Sequence, residues 1–182
     1  MGEAFGEVLA AARSGAPWAF ERLYADLAPQ VGNYLTLRGV ADRDDVASEV
    51  FLAVFERLAS FTGSEAKFRS WVFAIAHNKA ADVHRREFRR PWSEIAHDAG
   101  LEWPGGNVEE EALTSLGVER VRRLIDSLPE TQRDVLMLRI VADLTVDQVA
   151  TILGKTSGAI KQHQRRALNL LREKFEREGV TL

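Results

Sequence analysis

Cysteine is absent from the 182 residues, which excludes a disulfide scaffold, a zinc ribbon or finger and a thiol nucleophile. No apolar run approaches the ~20 residues of a membrane span. The opening Met-Gly-Glu-Ala-Phe-Gly-Glu lacks the basic-then-apolar order of a signal peptide, so the protein is expected in the cytoplasm, without membrane insertion. β-branched runs of period two are also missing, which argues against sheet. None of the four histidines, His77, His84, His97 and His163, falls in a metal-ligand spacing, and neither a nucleophile elbow nor a phosphate-cradling glycine loop is found. The expectation is a non-enzyme with no catalytic residue, no metal, no cofactor and no small-molecule substrate.

What is present is a segregation of charge. The net charge of −3 spreads unevenly over the chain. Residues 1–90 balance 12 basic against 12 acidic side chains. Residues 91–117 carry six acids (Glu94, Asp98, Glu102, Glu109, Glu110, Glu111) and no Lys or Arg. Residues 118–182 carry 12 basic and nine acidic residues. Such blocks point to different partners for different parts of one chain, or to two solvated domains and a soluble linker.

Outside 91–117 the apolar residues recur at three and four, the period of helices. Expected helices are Gly2–Arg13, Pro17–Leu37, Asp42–Phe61 and Glu65–Arg89, then Leu116–Ser127, Glu130–Ala142, Val146–Leu153 and Ser157–Glu178. Val46, Val50, Phe51, Val54, Phe55 and Leu58 make the third helix central to a bundle. The middle stretch, with Pro91, Pro104, Gly100, Gly105, Gly106, Trp92 and Trp103, reads as a linker, disordered or with its own binding surface. The fold expected is all-α: helical domains at 1–90 and 118–182 joined by an acidic flexible linker at 91–117.

The stretch Leu144–Lys161 carries the sharpest local signal. Thr145 with Gln148 three residues on is a capping box. Val146, Val149, Ala150 and Leu153 face inward, Gly154 supplies a left-handed stop, and Thr156 can cap a second helix. Short helix, glycine turn and longer helix describe a helix-turn-helix. At ~100° per residue, Ile160, Ala167 and Leu171 point inward, flanked by Gln164 and Leu168. Lys161, Gln162, Arg165, Arg166, Asn169 and Arg172 point outward. From Lys155 to Arg172 there are five basic residues and no acid. Such a face suits a major groove, with amides on phosphate and Lys, Gln or Arg on base edges. Small residues at Ser157, Gly158 and Ala159 permit close approach. The alternative is a solvated basic face on a structural helix. His163, on the flank, reads as a packing or phosphate-contact residue.

In the fourth helix Phe68, Val72 and Ile75 share a core side, while Trp71, Asn78, Asp82, Arg85 and Arg89 fall on a second stripe. An aromatic ring, an amide and arginines on one line suit a nucleic-acid strand, although a lone tryptophan is more often core than a stacking platform. Asp82 would orient an arginine. Asp42, Asp44, Asp45 and Glu49 open the third helix, either because carboxylates favour a helix N-terminus or as an acidic docking face, with Phe51 or Phe55 reaching toward a partner helix.

Taken together, these runs resemble a known family. Asp44-Asp-Val-Ala-Ser-Glu-Val-Phe-Leu-Ala-Val-Phe55, followed by Phe68-x-x-Trp71-x-x-x-Ile75-Ala76-x-Asn78-x-x-x-Asp82-x-x-Arg85-Arg86, resembles region two of sigma-70-type initiation factors. Leu128-Pro-Glu-Thr-Gln-Arg-Asp-Val-Leu-Met-Leu-Arg139 and the helix-turn-helix resemble region four. With only these regions and a linker, the chain resembles the extracytoplasmic function (ECF) subgroup. The resemblance implies a promoter-specificity subunit of bacterial RNA polymerase. Asp44, Asp45, Ser48, Glu49, Phe51, Leu52 and Phe55 would dock on the clamp helices of the largest subunit, and region four would meet the flap. Phe61, Thr62, Gly63, Ser64, Lys67, Arg69, Trp71, Asn78, Lys79, Asp82, Arg85 and Arg86 would capture the unpaired minus-ten strand. Lys155, Thr156, Ser157, Gly158, Ala159, Lys161, Gln162, His163, Arg165 and Arg166 would read the minus-thirty-five duplex. The acidic linker would thread the cleft where RNA will run, and an anti-sigma partner is expected. The chain departs from the family pattern at Ser48 (usually glutamine), His77 (commonly arginine) and His163-Gln164 (commonly arginine-leucine). The competing reading is a polymerase-independent helix-turn-helix regulator with a LuxR-like C-terminal domain.

Overall fold

The computed structural model describes residues 2–88 and 122–177. The chain divides into two compact units, Met1–Ala96 and His97–Leu182. The acidic stretch 91–117 and the expected start of a helix at Leu116 lie outside the described residues.

The first unit is a helical bundle. A 3-10 turn, Gly2–Ala4, leads into α1 (Phe5–Arg13), which buries Phe5, Val8, Leu9 and Ala12 at helical spacing. Gly15, at φ +84°, breaks the chain, and Pro17 begins α2 (Pro17–Leu37), where its missing N–H costs nothing. Helix α2 ends as Gly39 turns at φ +74° and donates to the Thr36 carbonyl at 2.9 Å. Helix α3 (Arg43–Arg57) buries Val46, Val50, Phe51 and Val54. It was expected to run to Phe61, but tightens into a 3-10 turn at Leu58–Ser60 and goes extended at Phe61. Helix α4 (Glu65–Phe88) lays Phe68, Val72, Phe73, Ala76 and Ala80 into the core against α2 and α3. Tyr34 meets Phe73 edge to face at 5.7 Å and its hydroxyl pairs with His77 Nδ1 at 2.9 Å. His84 Nε2 bonds the Arg38 carbonyl at 2.8 Å, so two of the histidines tie α4 to α2.

In the second unit a helical segment over 122–126 precedes α5 (Glu130–Ile140), which stops before the expected Ala142. Asp143 adopts φ +51°, a left-handed conformation that aspartate tolerates better than most residues, and Leu144 donates back to the Leu138 carbonyl. Helices α6 (Val146–Leu153) and α7 (Ser157–Arg177) follow. Leu128, Leu136 and Ala167 form a core with Leu170 and Leu171 packed against it. Leu170 therefore takes the flanking place expected of Leu168, which is 42% exposed. No helix among the described residues is long and apolar enough to cross a membrane.

Both halves of the α6 capping box are formed. Thr145 Oγ1 accepts from the Gln148 amide at 3.3 Å, and Gln148 Oε1 accepts from the Thr145 amide at 2.7 Å. Thr145→Ala is expected to cost the second unit about 1 kcal/mol, read as faster hydrogen exchange of the α6 amides with those of α3 unchanged.

Candidate nucleic-acid and polymerase interface

Gly154, at φ 61° and ψ 36°, ends α6 in the left-handed conformation that the turn requires. Thr156 Oγ1 then caps α7 by accepting from the Ala159 amide at 3.2 Å. The Ser157 hydroxyl donates to Asp147 Oδ1, so Ser157 fastens one helix to the other across the turn. Ile160 is fully buried and locks the rotation of α7 about its axis. Arg139 of α5 donates to Gln164 at 3.4 Å and also to the Leu144 carbonyl, bracing α7 from behind.

That rotation leaves Lys155, Thr156, Gly158, Lys161, Gln162, Arg165 and Arg166 exposed, with Ser157 and Ala159 half-buried. His163 is half-buried and its Nδ1 lacks a hydrogen-bond partner, in keeping with packing. At Gly158 an added Cβ would meet only Thr156 Oγ1, at 4.0 Å. The protein's own packing therefore does not demand a small residue there.

In the first unit, helix geometry aligns Asp45, Ser48, Glu49 and Leu52 on one outward strip. Asp44, Asp45, Ser48 and Glu49 are exposed, and Leu52 is an unusual 60% exposed for a large aliphatic side chain. The Ser48 hydroxyl is spent on its own helix, donating to the Asp44 carbonyl at 2.8 Å. Phe51 corrects the expectation of an outward-reaching ring. It is 3% exposed and packs on Tyr24 of α2 at 4.7 Å, because α2 covers that side of α3. Phe55 is half-buried, edge to face with Phe20 at 5.0 Å. Two exposed aromatics of α2, Trp18 and Tyr24, were not singled out from the sequence. Their signal was the aromatic clustering in Trp18-Ala-Phe-Glu-Arg-Leu-Tyr24.

The loop before α4 and the helix itself make a second surface. Phe61 stacks on Trp71 at 5.2 Å with 16° between planes, and meets Phe68 edge on at 5.4 Å. Trp71 is thus half-buried with one face already covered by a ring. Thr62, Gly63, Ser64 and Lys67 are exposed. Gly63 is confined: a Cβ there would come within 3.0 Å of Lys67 and 3.3 Å of the Phe61 ring. Arg69 reaches back to Gln30 of α2 at 2.9 Å. Further along α4, Asn78, Arg85 and Arg86 are exposed. Arg85 pairs with Asp82 one turn earlier on the helix. Lys79 joins Glu49 of α3 at 2.6 Å, and this hydrogen bond, with the lysine's charge, holds the Glu49 carboxyl below the usual carboxylate range. Arg89 lies outside the described residues.

A bundle with an acidic helix and an aromatic-basic helix, coupled to a capped helix-turn-helix with a basic face, defines a two-module factor of the sigma-70 type. Residues 20–90 match the family Sigma-70 region 2, and residues 124–173 match Sigma-70, region 4. The chain is 37% identical to the ECF RNA polymerase sigma factor ShbA of Streptomyces griseus over 132 residues, covering 71% of this chain and 69% of ShbA. It is 31% identical to the ECF RNA polymerase sigma factor SigD of Mycobacterium tuberculosis, over 98% of this chain and 87% of SigD. A solved structure of CnrH in complex with the cytosolic domain of CnrY superposes with a TM-score of 0.71 at 25% identity, covering 96% of this chain and 98% of CnrH. The chain belongs to the ECF RNA polymerase sigma factors. Its function is that of the family: it binds core RNA polymerase and directs promoter recognition and transcription initiation.

Proposed function

We propose the following division of that work along the chain. Residues 1–90 dock on the clamp helices of the polymerase largest subunit through Asp44, Asp45, Glu49, Leu52 and the half-buried Phe55, with Phe51 supporting them from within. The loop Phe61–Ser64, the first turn of α4 with Lys67, and the α4 face through Asn78 and Arg86 hold the unpaired minus-ten strand. Residues 118–182 place Thr156–Arg166 in the minus-thirty-five major groove and lean on the flap. Residues 91–117 link the two and lie along the cleft, their acids standing in for a nucleic-acid strand. The factor works in the cytoplasm, without a catalytic step, ATP or metal of its own. An anti-sigma protein covering these faces is the natural inhibitor, a reading supported by the complex of CnrH with the cytosolic domain of CnrY.

The observation that carries this reading is the exposed basic face of α7 from Lys161 to Arg172, a stretch without acids, presented at a fixed rotation by the buried Ile160 and the Thr156 cap. A lone module of this size binds DNA non-specifically at only ~10⁻⁴–10⁻⁶ M. Two modules carried on one polymerase make the second contact effectively intramolecular. A mobility-shift experiment with and without core polymerase tests it: a specific complex should form only with core enzyme. Tight specific binding by the isolated chain would favour the polymerase-independent regulator. Lys161→Ala and Arg165→Ala are each expected to weaken use of the minus-thirty-five element by about 1–3 kcal/mol if the side chain reads a base edge. If it holds a phosphate instead, the loss is a salt slope shallower by about 0.9. Affinity for core polymerase, measured by fluorescence titration, should stay unchanged in both.

A further inference from the structure

The Glu49–Lys79 ion pair joins two surfaces with different expected partners. Glu49 stands on the acidic strip of α3, with Asp45, Ser48 and Leu52 along the same face. Lys79 stands on α4, one residue from Asn78. The two helices pack together, and their side chains meet at 2.6 Å while keeping 54% and 36% exposure. Neither end is sealed from an incoming partner.

Other strand-side cations are similarly occupied. Arg85 is paired with Asp82, and Arg69 is bonded to Gln30. Two of the positive charges that a phosphate chain would seek, on Lys79 and Arg85, are therefore matched from within by carboxylates. A cation held by an exposed carboxylate gains less from a phosphate than a free one does, by the modest worth of the pair it gives up.

We propose that Glu49 is a positioning residue that interlocks the two activities: its carboxylate holds the Lys79 ammonium in the free protein, and engagement of that carboxylate by a basic group of the polymerase releases Lys79 to a phosphate of the unpaired strand. This rests on the proposed assignment of the α3 strip to polymerase and the α4 face to DNA. The ion pair is exposed enough to be exchanged rather than broken at great cost, as an interlock requires. Arg86, whose charge also acts on Glu49, stays near the carboxylate when Lys79 swings away.

The test uses the full chain, without polymerase, and a mixed-sequence single-stranded DNA oligonucleotide. Glu49→Gln should tighten oligonucleotide binding about 3–10-fold and steepen its salt dependence by about 0.7, the increment for one more phosphate contact on a single strand. Adding Lys79→Gln should erase both gains. Glu56→Gln, which removes an exposed acid one further stretch along α3, changes net charge equally and should leave the salt slope as in the native protein. If Glu49→Gln alters neither affinity nor slope, while Lys79→Gln weakens strand capture by the polymerase-bound factor, the interlock is wrong and the surface assignment stands. If Lys79→Gln has no effect in either setting, the assignment of α4 fails, and the interlock with it.

Discussion

Asp45→Arg is expected to lower the affinity for core RNA polymerase at least thirtyfold while leaving the first unit folded. Losing one partner of a desolvated interfacial charge pair costs about 2–5 kcal/mol, and reversal adds repulsion. The cost to the free protein is much smaller. Asp45 is exposed in the first turn of α3, where a carboxylate gains only about 0.3–1 kcal/mol from the helix dipole. Asp45→Asn separates these effects, since it removes the charge without reversing it and should fall between native and Asp45→Arg. Fluorescence titration of labelled factor with core enzyme measures the affinity, and far-ultraviolet circular dichroism checks the fold. Unchanged affinity would remove the acidic strip of α3 from the docking surface.

Ile160→Asp should unfold the second unit and spare the first. Ile160 is fully buried near the start of α7, in a unit whose other fully or nearly fully buried residues include Leu144 and Val149. An uncompensated carboxylate in that setting costs several kcal/mol. The helix N-terminus offsets at most about 2 kcal/mol of it, and a small domain has little stability to spare. Ile160→Val, by contrast, should cost only about 0.5–1.5 kcal/mol. Limited proteolysis reads the outcome: Ile160→Asp should leave a protected fragment containing α1 to α4 and lose protection beyond it. Its polymerase affinity should drop only by the share that the second unit contributes, and minus-thirty-five dependence should vanish. Equal protection of both units would mean that α7 is not rotated as described.

Much of this architecture was legible from local chemistry. Helices α2 and α6 have the bounds expected of them, because Pro17 with Gly39 and Thr145 with Gly154 mark their ends by backbone rules that need no tertiary contact. The outward face of α7 follows from a projection at 100° per residue. Helices α3 and α5 ended early for reasons hidden in the sequence. Leu58–Ser60 tightens before an extended Phe61, and a non-glycine residue, Asp143, takes a left-handed turn.

The candidate surfaces were less legible than the helices. Phe51 and Leu52 are neighbours, and the family resemblance implied both in the docking face although Phe51 also falls on the apolar stripe of the helix. Only the packing of Tyr24 shows that Phe51 turns inward and Leu52 outward. The Phe61–Trp71 stack joins a loop to a helix, and the Glu49–Lys79 pair spans 30 positions of sequence. Such contacts are set by how helices pack, so spacing along the chain carries no sign of them.

In the proposed division of work, promoter choice arises when polymerase carries both modules onto two DNA elements at once. Run-off transcription with purified factor and core enzyme on a promoter library tests it most directly. Start sites should depend on both elements and be lost when the spacer between them is lengthened by about 5 base pairs, half a helical turn. Factor-dependent start sites that tolerate that insertion, or none at all above core enzyme alone, would contradict it.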